Sequence, residues 1–90
     1  MSSREPYKLH VGYIVDVNVT SVVERMIQVA RKFRKDGATK IAAIRQIYPE
    51  LVDHPRETIW YAFMHGADLS SRGAVTYYYI MRRETRERER

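Results

Sequence analysis

The chain contains no cysteine, only four glycines and three prolines, and no long run of apolar residues. Without cysteine, neither a disulfide nor a thiolate zinc site can stabilise the fold. No segment approaches the roughly 20 apolar residues that a transmembrane helix needs, and the N-terminal sequence MSSREPYK lacks the apolar run of a signal peptide. We therefore expect a reduced, cytoplasmic protein without a membrane segment.

Patterns typical of catalytic and metal sites are also missing. His10, His54 and His65 are not spaced as metal ligands, and the chain has no H-E-x-x-H, phosphate-loop or G-x-S-x-G pattern. Asp53 and His54 stand before Pro55, where helix-start chemistry explains them better than an acid–base pair does. We therefore expect no enzyme activity and no bound metal or cofactor.

Positive charge is the most marked feature of what is present. The chain has 16 Lys and Arg residues against 11 Asp and Glu, a formal net charge of +5. Between Arg25 and Arg45 the basic residues are interrupted by a single acid, Asp36. Such a balance favours an anionic polymer, because lysine and arginine release the counterions condensed on phosphates. The candidate phosphate contacts in this segment are Lys32, Lys35 and Lys40.

The first segment alternates between apolar and polar residues from Tyr7 to Val19, and only Ile14 departs from the alternation. A period of two predicts a β-strand. No later segment predicts a second strand, so the backbone of this one needs a partner. Either the chain forms a hairpin near Gly12, or the strand pairs with its copy in a second subunit. The sequence HVGY lacks the usual hairpin turn residues, which favours a strand-paired homodimer.

Four short helices are predicted after the strand, over about 22–35, 40–48, 55–66 and 71–83. Each is bounded by residues that favour helix ends. The start signals are Ser21 with Glu24, Thr39, Pro55, and Ser70 or Ser71, and the stop signals are Asp36-Gly37, Pro49 and Gly66. The expected fold class is therefore mainly α, with an N-terminal β-strand followed by four short helices.

One domain is expected over residues 7–83. Residues 1–6 are expected to be disordered. Residues 84–90 form a charged Arg/Glu tail that either extends the fourth helix or frays into solvent. A chain of this size buries a small core, and dimerisation is one way to stabilise it.

The last two predicted helices indicate a helix-turn-helix, a motif in which small residues let two helices cross closely. Ala62 and Gly66 are the small residues in the first of these helices. Ala74 and Tyr77 are the inward anchors in the second. The connection between the helices is about two residues longer than in the tightest form of the motif.

The run GADLSSRGAVTYYYIMRR resembles a pattern found in small phage and mobile-element proteins of helix-turn-helix type, G-L-[ST]-x-x-G-A-x-T-Y-Y-x-x-[IM]-[KR]. The matching positions are Leu69, Ser70, Gly73, Ala74, Thr76, Tyr77, Tyr78 and Arg82. The chain differs from the pattern by Asp68, which is inserted between Ala67 and Leu69. The resemblance implies a DNA-associated transcriptional regulator or a phage accessory factor.

Placing the fourth helix in a major groove defines two sets of candidate contacts. Residues near its start would contact base edges, and residues further along would contact sugar and phosphate. The base-contacting candidates are Ser71, Arg72, Val75 and Thr76, and the backbone candidates are Tyr79, Arg82 and Arg83. Arg72 is the one best suited to guanine. The sequence therefore predicts a regulator that binds double-stranded DNA.

Two alternatives use overlapping residues. In a ribbon-helix-helix arrangement, two chains pair their strands and Lys8, His10 and Asn18 contact bases. Against it, such proteins have shorter strands and longer second helices. In the other alternative, the chain is an inhibitor or adaptor that binds a host protein through an aromatic patch ringed by arginines. The residues of that patch would be Trp60, Tyr61, Phe63 and Tyr79.

Overall fold

The computed structural model describes residues 7–88, which form a β-hairpin followed by four α-helices. The elements are β1 Tyr7–His10, β2 Ile14–Val17, α1 Ser21–Lys35, α2 Lys40–Leu51, α3 Arg56–Ala67 and α4 Ser71–Arg88. The mainly helical class and the four helices predicted from the sequence are confirmed. The expected disorder of residues 1–6 and the last two residues of the predicted tail lie outside the described residues.

The two strands form an antiparallel hairpin, which confirms the hairpin alternative near Gly12 and corrects the single strand predicted over residues 7–19. Leu9 pairs with Val15 and His10 with Ile14, and Gly12 lies in the turn with a φ of 90°. Glycine reaches positive φ at little cost, which lets the chain reverse here. Because three residues separate the strands, Leu9 lies on the same face as Val15 and Val17, and this face is turned to the core. The alternation therefore keeps its parity through the turn and does not distinguish a hairpin from one continuous strand.

Two helix ends differ from those predicted. The N-cap of α1 is Thr20 and not Ser21, and the Thr20 hydroxyl accepts the N–H of Val23 at 3.3 Å. The second helix continues through Pro49 to Leu51. The Leu51 side chain is fully buried, and this packing favours the extra turn over the break that proline usually causes.

The connection between α3 and α4 is also shifted. α3 continues one residue beyond Gly66 and is capped by Asp68 in the left-handed conformation, with a φ of 59°. Gly66 lies inside the helix where α3 packs on α1, and a Cβ atom there would be 2.8 Å from the Ala30 Cβ. α4 begins after Ser70, whose hydroxyl accepts the N–H of Gly73 at 3.1 Å. Gly66 is thus a site of close helix packing and not the predicted stop.

α3 is the central element of the fold and packs on α1, α2, α4 and β2. The largest fully buried side chains are Phe63, Leu9, Ile44, Ile47, Leu51, Ile59 and Val23. α4 packs mainly on α3, which leaves one of its sides in solvent. None of the helices described within residues 7–88 is long and apolar enough to cross a bilayer.

Candidate nucleic-acid interface

One side of α4 is exposed along most of the helix and is positively charged. Its residues recur at spacings of three and four, which places them on one face of an α-helix. This face, the α4 outer stripe, consists of Arg72, Thr76, Tyr79, Arg83 and Arg86. At 1.5 Å per residue the stripe is about 21 Å long. It contains no carboxylate, although Glu87 lies at its flank.

The opposite side of α4 attaches the helix to the core. Ala74 and Met81 are buried there, and Tyr77 and Tyr78 are half-buried. The Tyr78 ring stands edge-on to the ring of Trp60, with centroids 6.0 Å apart. Both tyrosines therefore have the packing role that the sequence predicts. Their contacts fix which side of α4 faces outward.

Several cations outside α4 hold the fold together. Arg31 donates from Nε to the carbonyl oxygen of His65 at 2.9 Å, and Lys40 donates from Nζ to that of Asp68 at 3.0 Å. Both therefore stabilise the C-terminal end of α3, where carbonyl groups lack helical partners. Burial lowers the pKa of the His65 imidazole, and the charge of Arg31 acts in the same direction. Lys40, predicted as a phosphate contact, is used in this exposed hydrogen bond within the chain.

A bidentate ion pair joins α4 to α2. Arg45 donates from Nη2 and Nε to the two carboxylate oxygens of Glu84, at 2.7 and 3.2 Å. The hydrogen bond from Arg45 lowers the pKa of the Glu84 carboxyl. Glu84 belongs to the segment predicted as a charged tail, and the structure makes that segment helical as far as Arg88. The ion pair consequently anchors the C-terminal half of α4.

The arginines of the α4 outer stripe have no such partners. In the part of the chain that the structure describes, Arg72, Arg83 and Arg86 make no hydrogen bond or ion pair. The same holds for Arg82, which lies beside the stripe and is exposed. Unpaired exposed cations of this kind are available to neutralise phosphates.

Arg56 adds a further cation next to the stripe. Its Nε donates to a carboxylate oxygen of Glu57 at 3.1 Å, and its guanidinium carbon lies 5.3 Å from the centre of the Trp60 ring. The hydrogen bond with Glu57 raises the pKa of Arg56, and interaction with the Tyr79 hydroxyl adds to the effect. The Tyr79 side chain is 42% exposed, so it is accessible between these arginines.

Lys32 and Lys35, two predicted phosphate contacts, lie on another part of the surface. They line a shallow depression of α1 together with Gln28, Arg31 and Asp36. No described residue of α4 lines this depression, and α1 packs on α2 and α3. The structure therefore does not bring these lysines together with the outer stripe.

A groove separates the hairpin turn from the first turns of α4. This hairpin groove has a volume of about 390 Å³ and is lined by Val11, Gly12, Ser71, Arg72, Val75 and Thr76. Ser71 and Val75, both predicted to contact bases, are half-buried in it and do not belong to the outer stripe. Arg72 and Thr76 belong to both surfaces, so the groove continues the stripe toward the hairpin.

The aromatic patch expected for a protein-binding inhibitor is not formed. Trp60 is 5% exposed, Tyr61 9% and Phe63 0%, so only Tyr79 of the four lies at the surface. The prediction of this patch is wrong because the other three residues belong to α3, which is covered on several sides.

The hairpin also contradicts the ribbon-helix-helix alternative, in which each chain contributes one strand. β1 already pairs with β2 of the same chain. Lys8, His10 and Asn18 are exposed, as that alternative requires, but Lys8 forms an ion pair with Asp16 across the hairpin at 2.7 Å. Lys8 therefore stabilises the hairpin.

Two arginines in or beside the α4 outer stripe, Arg86 and Arg56, were not predicted. Arg86 continues the spacing of Arg72 and Tyr79 at seven-residue intervals. That periodicity is the signal that identifies Arg86. The predicted fourth helix ends at residue 83, so Arg86 falls in the predicted tail. Arg56 comes from another helix, and no local pattern indicates that it lies beside Tyr79.

No protein-family model, no curated protein and no solved structure matches the chain. Within residues 7–88, no three acidic or histidine side chains are grouped so that they could hold a metal ion. The feature that best indicates a partner is therefore the surface of α4 itself, with its exposed arginines, its hydroxyls and its single exposed tyrosine.

Proposed function

We propose that the chain binds double-stranded DNA with the α4 outer stripe in the major groove. The observation that carries the proposal is the contrast among cations. The arginines of the stripe are exposed without partners in residues 7–88, whereas Arg31, Lys40 and Arg45 are used within the fold. A major groove about 12 Å wide admits one α-helix. A stripe of about 21 Å extends over roughly six base-pair steps.

In this arrangement the two halves of the stripe have different roles. Arg72 is suited to a bidentate contact with guanine, and the methyl group of Thr76 to contact with a thymine methyl. Arg83 and Arg86, together with Arg82, neutralise phosphates without distinguishing bases. The first half therefore supplies sequence preference, and the second half supplies affinity.

We further propose that α3 and α4 act as a helix-turn-helix, in which α3 positions the helix that contacts DNA. Two cations hold the end of α3, and α4 rests on α3, so the stripe has a fixed position on the core. A fixed helix favours base contacts, because the productive geometry is narrow. The resemblance of the segment around α4 to small phage and mobile-element proteins supports a role as a transcriptional regulator.

A duplex titration at two salt concentrations tests the proposed function. Binding that releases counterions weakens with a log–log slope of roughly −0.9 per phosphate contact. For the three phosphate contacts proposed, affinity should fall roughly 40-fold between about 50 and 200 mM salt. No duplex binding at the lower concentration, or binding that salt does not change, would contradict the proposal.

Arg72→Ala is expected to relax sequence preference. A bidentate guanine contact discriminates against other bases by about 1–3 kcal/mol, and alanine removes it. The measurement is the affinity for a panel of duplexes that differ at single base pairs. Arg25→Ala, at an exposed site on α1, removes the same charge and should leave the ranking unchanged. An equal loss on every duplex would show that Arg72 contacts phosphate and not base.

We also propose that two copies associate through the hairpin. Within the described residues the sheet has two strands, so each has an outer edge that a second chain can pair with. A dimer would present two α4 helices to adjacent parts of a duplex. The expected solution mass is twice that of the 10.7 kDa chain. A monomer mass at micromolar concentration, with DNA binding retained, would contradict this association.

A further inference from the structure

The hairpin groove differs from three other depressions on the surface because no described carboxylate lines it. Those beside α1 contain Glu24 and Asp36, and the one between α2 and α4 contains Glu84. Among the residues that line the hairpin groove, Arg72 carries the single charge and two hydroxyl groups accompany it. An anion in this groove therefore meets a cation and hydrogen-bond donors without an opposing carboxylate.

The hairpin side of the groove is apolar and leads to an exposed tip. Val11 lines the groove, and apart from Gly12 and its two chain neighbours no described atom lies within 4 Å of the position that a Cβ of Gly12 would occupy. The next two residues, Tyr13 and Ile14, are 50% and 63% exposed. These two residues expose apolar surface at the tip that a partner can cover.

We propose that the hairpin groove holds the sugar–phosphate backbone of one DNA strand and that Tyr13 and Ile14 lie in the adjacent minor groove. This inference rests on the proposed function, because it requires α4 to lie in the major groove. The inference adds the hairpin tip as a second DNA-contacting element beside α4.

The chemistry of the groove walls fits such a strand. A DNA backbone alternates apolar sugar faces with phosphate groups. Val11 and Val75 provide apolar surface for the sugar, and the hydroxyls of Ser71 and Thr76 provide donors for the phosphate. The charge of Arg72 attracts the strand, while its guanidinium is kept for the guanine. The absence of a side chain at Gly12 lets the strand approach the turn closely.

The position of the tip follows from the geometry of a duplex. One sugar–phosphate backbone separates a major groove from the neighbouring minor groove. If that backbone lies between α4 and the hairpin turn, the tip beyond it meets the minor groove. Apolar side chains inserted there make contact with sugars and base steps. Tyr13 and Ile14 are the exposed apolar residues at that place.

The test compares two double variants of the full chain. Tyr13→Ser with Ile14→Thr removes the apolar tip and keeps a strand-forming residue at position 14. The matched control, Phe33→Ser with Val52→Thr, makes the same kinds of change at exposed sites elsewhere. We expect the tip variant to bind the duplex preferred in the salt titration roughly tenfold more weakly, from the apolar area that it no longer buries. The control should bind as the unchanged chain does, and both should melt at similar temperatures.

A second readout identifies the groove that the tip occupies. Replacing guanine by inosine in that duplex removes the amino group from the minor groove and leaves the major-groove edge intact. The affinity of the unchanged chain should respond to this replacement, whereas the tip variant should bind both duplexes equally. The same response in both proteins would overturn the inference.

The outcomes separate this inference from the proposed function. If the unchanged chain binds no duplex, both are overturned. If Arg83→Ala weakens binding while the tip variant binds normally, only the inference is overturned. A tip variant with normal DNA affinity and a changed solution mass would assign Tyr13 and Ile14 to contact between copies, and would likewise overturn it.

Discussion

Replacing Arg82, Arg83 and Arg86 together by alanine is expected to weaken binding to every duplex on the order of 100-fold at about 0.15 M salt. Each lost phosphate contact removes roughly 0.9 from the salt slope, so the slope should become shallower by about 2.7. Sequence preference should remain, because Arg72 is unchanged. Alanine favours helix, and the Arg45–Glu84 ion pair is retained, so α4 should keep its structure.

A charge-matched control uses α1. Arg25→Ala with Lys32→Ala and Lys35→Ala also removes three positive charges, from exposed positions outside the stripe. At physiological ionic strength charges are screened over about 8 Å, so this variant should lose far less affinity. Losses of equal size in the two variants would mean that binding responds to net charge alone. A larger loss of affinity in the α1 variant would indicate that the DNA-binding site lies on α1.

The helical part of the fold could be predicted because its signals are local. Thr39 and Ser70 accept backbone N–H groups at helix starts, as predicted, and Gly37 adopts positive φ after α1. The errors arise where distant packing decides. Burial of the Leu51 side chain in the core favours continuation of α2 through Pro49. Gly66 lies inside α3 where that helix packs on α1, and the α1 residues that it contacts are far away in sequence.

The sequence leaves the choice between a hairpin and a continuous strand open for a different reason. A turn of three residues preserves the parity of the alternation, so Leu9 and Val15 face the same side whether the chain turns or continues. The residue that departs from the alternation, Ile14, lies on the outer face opposite His10. An apolar residue at such an outer position indicates that the chain turns nearby.

The candidate site could be predicted in part for similar reasons. Arg72, Thr76, Tyr79 and Arg83 follow helical periodicity, so one face of α4 was visible in the sequence. The hydrogen bond from Lys40 to the carbonyl oxygen of Asp68 could not be predicted, because the two residues are far apart in sequence. The burial of the α3 aromatics has a signal in the sequence. From Thr58 to Met64 the helix has no charged residue, and a helix that is apolar all round is buried.

Gly66→Ala is expected to destabilise the fold, although alanine is the better helix former by about 1 kcal/mol. The new Cβ would lie 2.8 Å from the Ala30 Cβ and 3.4 Å from backbone atoms of Ile27. Neither neighbour can move away by changing rotamer, so α1 and α3 must separate. Overpacking of this kind costs about 1–3 kcal/mol. We expect a net loss of up to about 2 kcal/mol and, for a domain of this size, a Tm lower by up to roughly 15 °C.

Gly73→Ala is the matched comparison, because it places the same methyl group in another helix. Its Cβ would meet the Ser70 Oγ at 3.3 Å and the Leu69 Cδ2 at 3.4 Å, both in side chains at the start of α4 that can adjust. Helix propensity should therefore dominate, with stability unchanged or higher by up to about 1 kcal/mol. The decisive measurement is a thermal or denaturant double-mutant cycle. Ala30→Gly removes the contact at Gly66, so combined with Gly66→Ala it should recover at least about 1 kcal/mol relative to additivity. Additive effects would show that α1 and α3 are not in close contact at this position.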